Sequence, residues 1–134
     1  MIRNRSVPDA SVIPVLAYPD VAEATRWLCD AFGLRLRLRI GEHRAQLVYG
    51  DGAVVATQGG EPGGGHSLLV SVEDADAHHD HALAHGARVA SPPTDYPYGE
   101  RQYTAVDLGG HHWTFSQSLA DVDPADWGGV LVEG

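Results

Sequence analysis

Lysine is missing from the chain altogether; all nine of its basic residues are arginine. Schiff-base chemistry and a phosphate-loop lysine are thereby excluded. Cysteine is nearly missing too. Cys29 stands alone, so no internal disulfide can form, and a cytoplasmic location is expected. No apolar run approaches the roughly 18 residues of a membrane span, and MIRNRSVPDASV has no signal-peptide core, so no membrane partner is expected. Positive charge is scarce, with 18 acids against 9 bases for a net charge of −9. A surface of that sign repels phosphate backbones, which argues against nucleic acid and mildly favours a cationic small molecule.

What is present suits one domain: 134 residues, 43% of them hydrophobic. SVIPVLAY reads as a strand. Asp20 then caps a helix with Glu23 at its third position. Val21, Ala24, Leu28, Ala31 and Phe32 form one stripe of that helix with Trp27 at its edge, and Gly33 stops it. LRLRLRI alternates, which predicts Leu and Ile toward the core and Arg toward water. RAQLVYG and GAVVATQ follow as strands around Gly50-Asp51-Gly52.

GGEPGGGH (59–66) could pass for a phosphate loop, but a phosphate loop leads from a strand into a helix and this one leads into the strand SLLVSV, so it reads as a linker. The order then repeats. Asp74 caps a helix over 75–85, Gly86 ends it, and ARVAS is a short strand before the loop PPTDYPYGE. RQYTAV and HWTFSQ form a hairpin around DLGG. The layout is two βαβββ modules, 12–58 and 67–118, in one unit spanning 1–118. A tail, 119–134, carries a short helix starting near Pro124.

The ordered set resembles the vicinal oxygen chelate superfamily of glyoxalases, bleomycin-resistance proteins and extradiol dioxygenases. ASPPTDYPYGERQYTAVDLGGHHWTFSQ is similar to the PP…D…WGDR…DPFGHxW stretch of its glyoxalase-like, PhnB-type branch. The resemblance implies an α+β fold of two βαβββ modules whose curled mixed sheets form a cup, and a homodimer with the cup near the subunit interface. In metal-dependent members, His, Gln or Glu side chains from the first and last strand of each module reach into the cup.

Carried onto this chain, those positions fall on Ile13, near Ala56, on Ser67 and on Thr114. Hydrocarbon and hydroxyl groups do not hold a divalent ion against water. No metal and no other cofactor is therefore expected, with a divalent metal as the alternative. His66 is one residue out of register and faces away from the cup. On the second helix His79 is expected on the buried face with Ala75, Ala82 and Leu83. His78, His81 and His85 form a partly solvated stripe, with no acid or thiol to complete a metal shell.

In place of a metal the cup is expected to offer a ligand site. Ile13, Val15, Ser67, Leu69, His112 and Thr114 come from the strands, and Tyr96, Tyr98, Arg101 and Tyr103 sit on or just after the overhanging loop. Apolar walls, hydroxyls and aromatic rings suit a flat aromatic or a cationic small molecule. Arg101 could clamp an anion, or simply pair with Glu100. Trp113 and Phe115 point toward the helices. The leading expectation is a small-molecule binder like the bleomycin-resistance branch. The alternative is a lyase or isomerase with an atypical or metal-free site, for which His112, with Glu100 or Asp107, is the candidate proton carrier. A third is a scaffold for protein interactions.

Overall fold

Two sheets of the same design form the frame of this computed structural model, which describes residues 4–10, 12–59 and 66–130. β1 (Val15–Tyr18), β2 (Arg35–Ile40), β3 (Arg44–Tyr49) and β4 (Gly52–Gln58) form a sheet in the order β1-β4-β3-β2. β5 (Ser67–Ser71), β6 (Arg88–Tyr96), β7 (Glu100–Val106) and β8 (His112–Ser118) form the second in the order β5-β8-β7-β6. In each sheet the first strand runs parallel to the last and the other pairs are antiparallel. A helix follows the first strand of each module: α1 (Val21–Trp27), which continues as a π turn over Leu28–Phe32, and α2 (Ala75–Ala84). This is the α+β architecture of two βαβββ modules.

The internal repeat reaches to single hydrogen bonds. Asp20 accepts from the Glu23 amide at 3.1 Å and Asp74 from the Ala77 amide at 3.0 Å, each satisfying one N–H that a helix start leaves open. At the end of each module's last strand a glutamine reaches the first helical residue. Gln58 accepts from the Val21 amide, and Gln117 from the Ala75 amide. This pair of glutamines is a signature of the repeat that caps and stop glycines alone do not reveal.

One core joins the two modules. Phe32, at the end of the π turn, packs edge-on against Phe115 at 4.9 Å and tilted against Trp113 at 5.4 Å. The stripe Val21, Ala24, Leu28, Ala31 and Phe32 is buried as its periodicity predicts, and Gly33 closes it at φ +82°.

Some local expectations are corrected. Leu36 and Ile40 are 39% and 38% exposed, because β2 is an edge strand and a bulge between Leu36 and Leu38 breaks its alternation. Leu83 is exposed, and the buried positions of α2 are Ala75 and Ala82. PPTDY is part of β6, not a loop. Pro92 and Pro93 sit on the sheet's outer strand, where the register shifts and a missing N–H costs no ladder bond. The tail carries a 3-10 turn at Pro124–Trp127. Most of the glycine-rich joint, 60–65, lies outside the described residues, as does 131–134. Among the described residues no helix is long and apolar enough to cross a membrane.

Candidate functional site

Each sheet has a face toward the helices and a face free of them, and strand alternation assigns side chains to one or the other. In module two, Leu68, Val70, Tyr103, Ala105, Trp113 and Phe115 belong to the core. Ser67, Leu69 and Ser71 of β5 therefore turn to the helix-free face. With them turn Glu100, Gln102 and Thr104 of β7, and His112, Thr114 and Ser116 of β8. Thr94 and Tyr96 of β6 share that face, because they sit opposite Gln102 and Glu100.

These polar groups are organised. Tyr98 donates its hydroxyl to the Gln102 carbonyl at 3.1 Å, the Gln102 amide donates to Ser116 at 3.0 Å, and Ser116 donates to Glu100 at 2.7 Å. The chain of donors runs one way and ends on a carboxylate. Beside it the Thr104 and Thr114 hydroxyls share a hydrogen bond at 2.8 Å. An aromatic group stands at the rim: Tyr96 and Tyr98 are stacked at 5.4 Å, and Trp127 leans on Tyr98 at 5.5 Å. Trp127 is a site candidate that sequence reasoning missed. It reaches the rim because Asp123 caps the short 3-10 turn and Leu119 donates to the Gly99 carbonyl, folding the tail onto the hairpin.

In module one, Leu16, Tyr18, Ala45, Leu47, Val54 and Ala56 face the core, so Val15, Ala17, Gln46, Val48, Val55 and Thr57 face the other way. The last-strand position near Ala56 thus shifts by one residue, to Val55 or Thr57. Val15 is 55% and Leu69 69% exposed, and β1 and β5 are edges of separate sheets. Neither helix-free face covers the other within one chain. A cavity of about 590 Å³ opens where the β3–β4 hairpin meets β5. It touches the helix-free face only through residues such as Ser67 and Leu69.

Two predicted site residues point the other way. Tyr103 is fully buried on the helix side, with its hydroxyl 2.5 Å from His78 Nδ1. Arg101 is on that side as well. It pairs with Asp95 at 2.7 Å and Asp76 at 3.0 Å rather than with Glu100. Those two carboxylates leave it no free fork for an anion, and the guanidinium holds the Asp95 carboxyl below its usual range.

The adjacent histidines divide their roles. His112 is exposed on the helix-free face, opposite Ser67. His111 is buried and donates from Nε2 to the Ala17 carbonyl at 2.7 Å. Asp107 is far more than a turn residue. Its oxygens accept from the Gly109 and His111 amides, from Trp113 Nε1 and from the Tyr18 hydroxyl. It ties module one to module two, and its four bonds engage it fully, so it is no proton carrier for a substrate. Burial pushes the Cys29 thiol up, away from the thiolate a nucleophile needs.

The helix histidines form a seam between modules. His78 donates from Nε2 to the Phe32 carbonyl and accepts from Tyr103, and His81 donates to the Asp30 carbonyl. Trp27 returns a bond to the His85 carbonyl. His78 and His79 are both half-buried against Tyr103, His79 edge-on at 5.2 Å, so His78 joins His79 on the packed side rather than standing in a solvated stripe. Burial, partly offset by the Phe32 carbonyl, holds His78 below the ordinary histidine range. Burial and Asp107 hold the Tyr18 phenol above its own range, and burial and Tyr49 do the same for Tyr103. The unfolded imidazole takes a proton near pH 6.5 and the unfolded phenols lose theirs near pH 10. Stability is therefore lost as pH falls through about 6.5 and as it rises through about 10. Thermal melts across pH are expected to plateau between those limits. In His78→Gln the decline starting near pH 6.5 is expected to shrink; an unchanged decline would contradict the assignment.

The family's metal positions can now be tested against the side chains. Ile13 and Val55 are hydrocarbon, Ser67 offers a hydroxyl, and the Thr114 hydroxyl is already engaged by Thr104. None is a ligand type that holds zinc, iron or manganese. Among the described residues no group of three His, Cys, Asp or Glu converges as a metal site would require. The residues do not fit the group.

Comparison with known proteins agrees with the two-module fold. Residues 12–115 match the model of the glyoxalase/bleomycin resistance protein/dioxygenase superfamily. A crystal structure of TioX from Micromonospora sp. ML1 is 40% identical and covers 81% of this chain and 98% of its own, with a TM-score of 0.71. A glyoxalase/bleomycin resistance protein from Streptomyces sp. CB03234 is 23% identical over 78% of this chain and 97% of its own, TM-score 0.67. A glyoxalase/bleomycin resistance protein/dioxygenase from Nocardioides is 20% identical over 90% of this chain and 88% of its own, TM-score 0.68. These last two show the shared fold. A search of curated proteins gave no match. The chain belongs to the glyoxalase/bleomycin resistance protein/dioxygenase superfamily.

Proposed function

We propose that the protein binds a small organic molecule, aromatic or cationic, on the helix-free face of module two, by contact and without a metal. The observation that carries this is the oriented chain Tyr98–Gln102–Ser116–Glu100 beside the Tyr96, Tyr98 and Trp127 rings. Rings supply stacking, and the Glu100 carboxylate supplies attraction for a cation. Sequestration in a homodimer completes the reading. Val15 and Leu69 are exposed apolar residues on the two helix-free faces, and a second copy would cover them while closing module one of one chain over module two of the other.

A thermal-shift screen of aromatic and quaternary-ammonium compounds tests this. A ligand at a hundredfold excess over its Kd is expected to add about 2.7 kcal/mol of stability, and Tyr98→Ala is expected to weaken that ligand by about tenfold. Turnover of a carbonyl substrate, with no binder found, would overturn the reading in favour of an enzyme, for which exposed His112 is the first residue to substitute.

A further inference from the structure

On module one the segment 5–8 is bonded to side chains of β2 and β3. Gln46 occupies the middle of β3 at a position aimed at the helix-free face, yet it is 6% exposed. Part of its cover is the segment 5–8: its amide donates to the Ser6 carbonyl at 2.9 Å, and Pro8 at the end of that segment is buried. Arg37 stands at the bulge of β2, which turns it out of the strand's alternation. From there it donates to Gln46 Oε1 at 2.6 Å and to the Arg5 carbonyl at 2.9 Å. The guanidinium thus holds neutral oxygens, and no carboxylate pairs with it among the described residues.

Two features make this a binding geometry and not only a way of fastening an end. The donors are a guanidinium and a side-chain amide joined by their mutual bond, and they also donate to the carbonyls of two successive residues, Arg5 and Ser6. Neutral carbonyls are also weaker acceptors for a guanidinium than a carboxylate, which takes it through shorter, charge-assisted bonds. Little holds the occupant besides Arg37, Gln46 and buried Pro8: Asn4 to Ser6 are exposed, Val7 is 47% exposed, and among the described residues its local support is a turn on Asn4.

We propose that Arg37 and Gln46 form a site for the carboxylate of a small organic acid, which residues 5–8 occupy in cis. The segment acts as an intramolecular stand-in that a ligand must displace. The inference rests on the reading of the helix-free faces as ligand walls. It adds a wall of opposite charge, Arg37 on module one against Glu100 on module two.

Benzoate is the probe, titrated into ¹⁵N-labelled full-length protein and into a variant lacking residues 1–8. In the full chain benzoate is expected to shift the Gln46 side-chain amide together with the amides of residues 4–7. If the open form is a tenth of the population, removing the segment tightens benzoate by about tenfold. Arg37→Ala is expected to abolish the shift in both, and Arg39→Ala to leave it intact. Equal affinity with and without the segment, or no shift at Gln46 in either protein, would overturn the proposal. Should the shortened chain fail to fold, the Arg37→Ala and Arg39→Ala titrations of the full chain decide. Shifts confined to Gln102, Thr114 and Tyr98 would overturn this site while leaving the module-two reading standing. Shifts at neither wall, with a screen that finds no binder, would remove both.

Discussion

Asp107→Asn is expected to cost about 2–5 kcal/mol of folding stability, because two buried donors lose their acceptor at about 1–3 kcal/mol each. The substitution keeps the shape and removes an acceptor. Asp107 Oδ1 takes the Gly109 and His111 amides, each at 2.9 Å, while Oδ2 takes Tyr18 at 2.5 Å and Trp113 at 2.9 Å. An asparagine presents an NH₂ group to one of those pairs of donors, leaving buried N–H or O–H groups without an acceptor whichever way it is turned. Because Tyr18 belongs to module one and the other partners to module two, the loss falls on the joint between them. Urea unfolding is the measurement. A cost within experimental error would mean that the joint is held without Asp107, by the aromatic core and the histidine bonds.

Gly109→Ala is expected to cost about 3 kcal/mol, at the upper end for an added methyl in a packed interior. The reason is space. A Cβ there would lie 2.7 Å from Tyr18 Cδ1 and 2.9 Å from the Ala17 carbonyl oxygen. The tyrosine cannot yield without giving up Asp107, and the backbone of β1 would have to move with it. Gly109 does not adopt a positive φ, whereas its neighbour Gly110 does, at +80°. The two glycines of DLGG thus serve different needs, close approach and turn. Equal stability of Gly109→Ala and the wild type in the same urea series would contradict the geometry.

Much of the architecture was legible because the periodic signals and the boundary residues agreed. Asp20 and Asp74 cap, Gly33 and Gly86 stop, and the stripe on the first helix is buried as read. The misread elements are those where a neighbour overrides period. LRLRLRI alternates without flaw, but a bulge and an edge position expose Leu36 and Ile40 and set Arg37 against Gln46. Tyr103 follows the loop that carries Tyr96 and Tyr98, and closeness in sequence groups it with them. Counting by twos from Trp113 through its partner Ala105 would have placed it on the buried side. Trp127 and the segment 5–8 could not be found by any period, since short irregular stretches reach the sheets through caps and carbonyl bonds that leave no pattern in the sequence.

The central claim is that the helix-free face holds organic ligands by stacking and hydrogen bonds where relatives of the metal-dependent kind use an ion. Metal content answers it most directly. The purified, untagged protein, dialysed without chelator, would be examined by elemental mass spectrometry alongside Thr114→Val. The expected result is no stoichiometric divalent metal in either protein, and no thermal stabilisation on adding nickel, zinc, manganese or iron(II). One bound metal per chain that disappears in Thr114→Val would contradict the account and move the protein to the metal-dependent side of its superfamily.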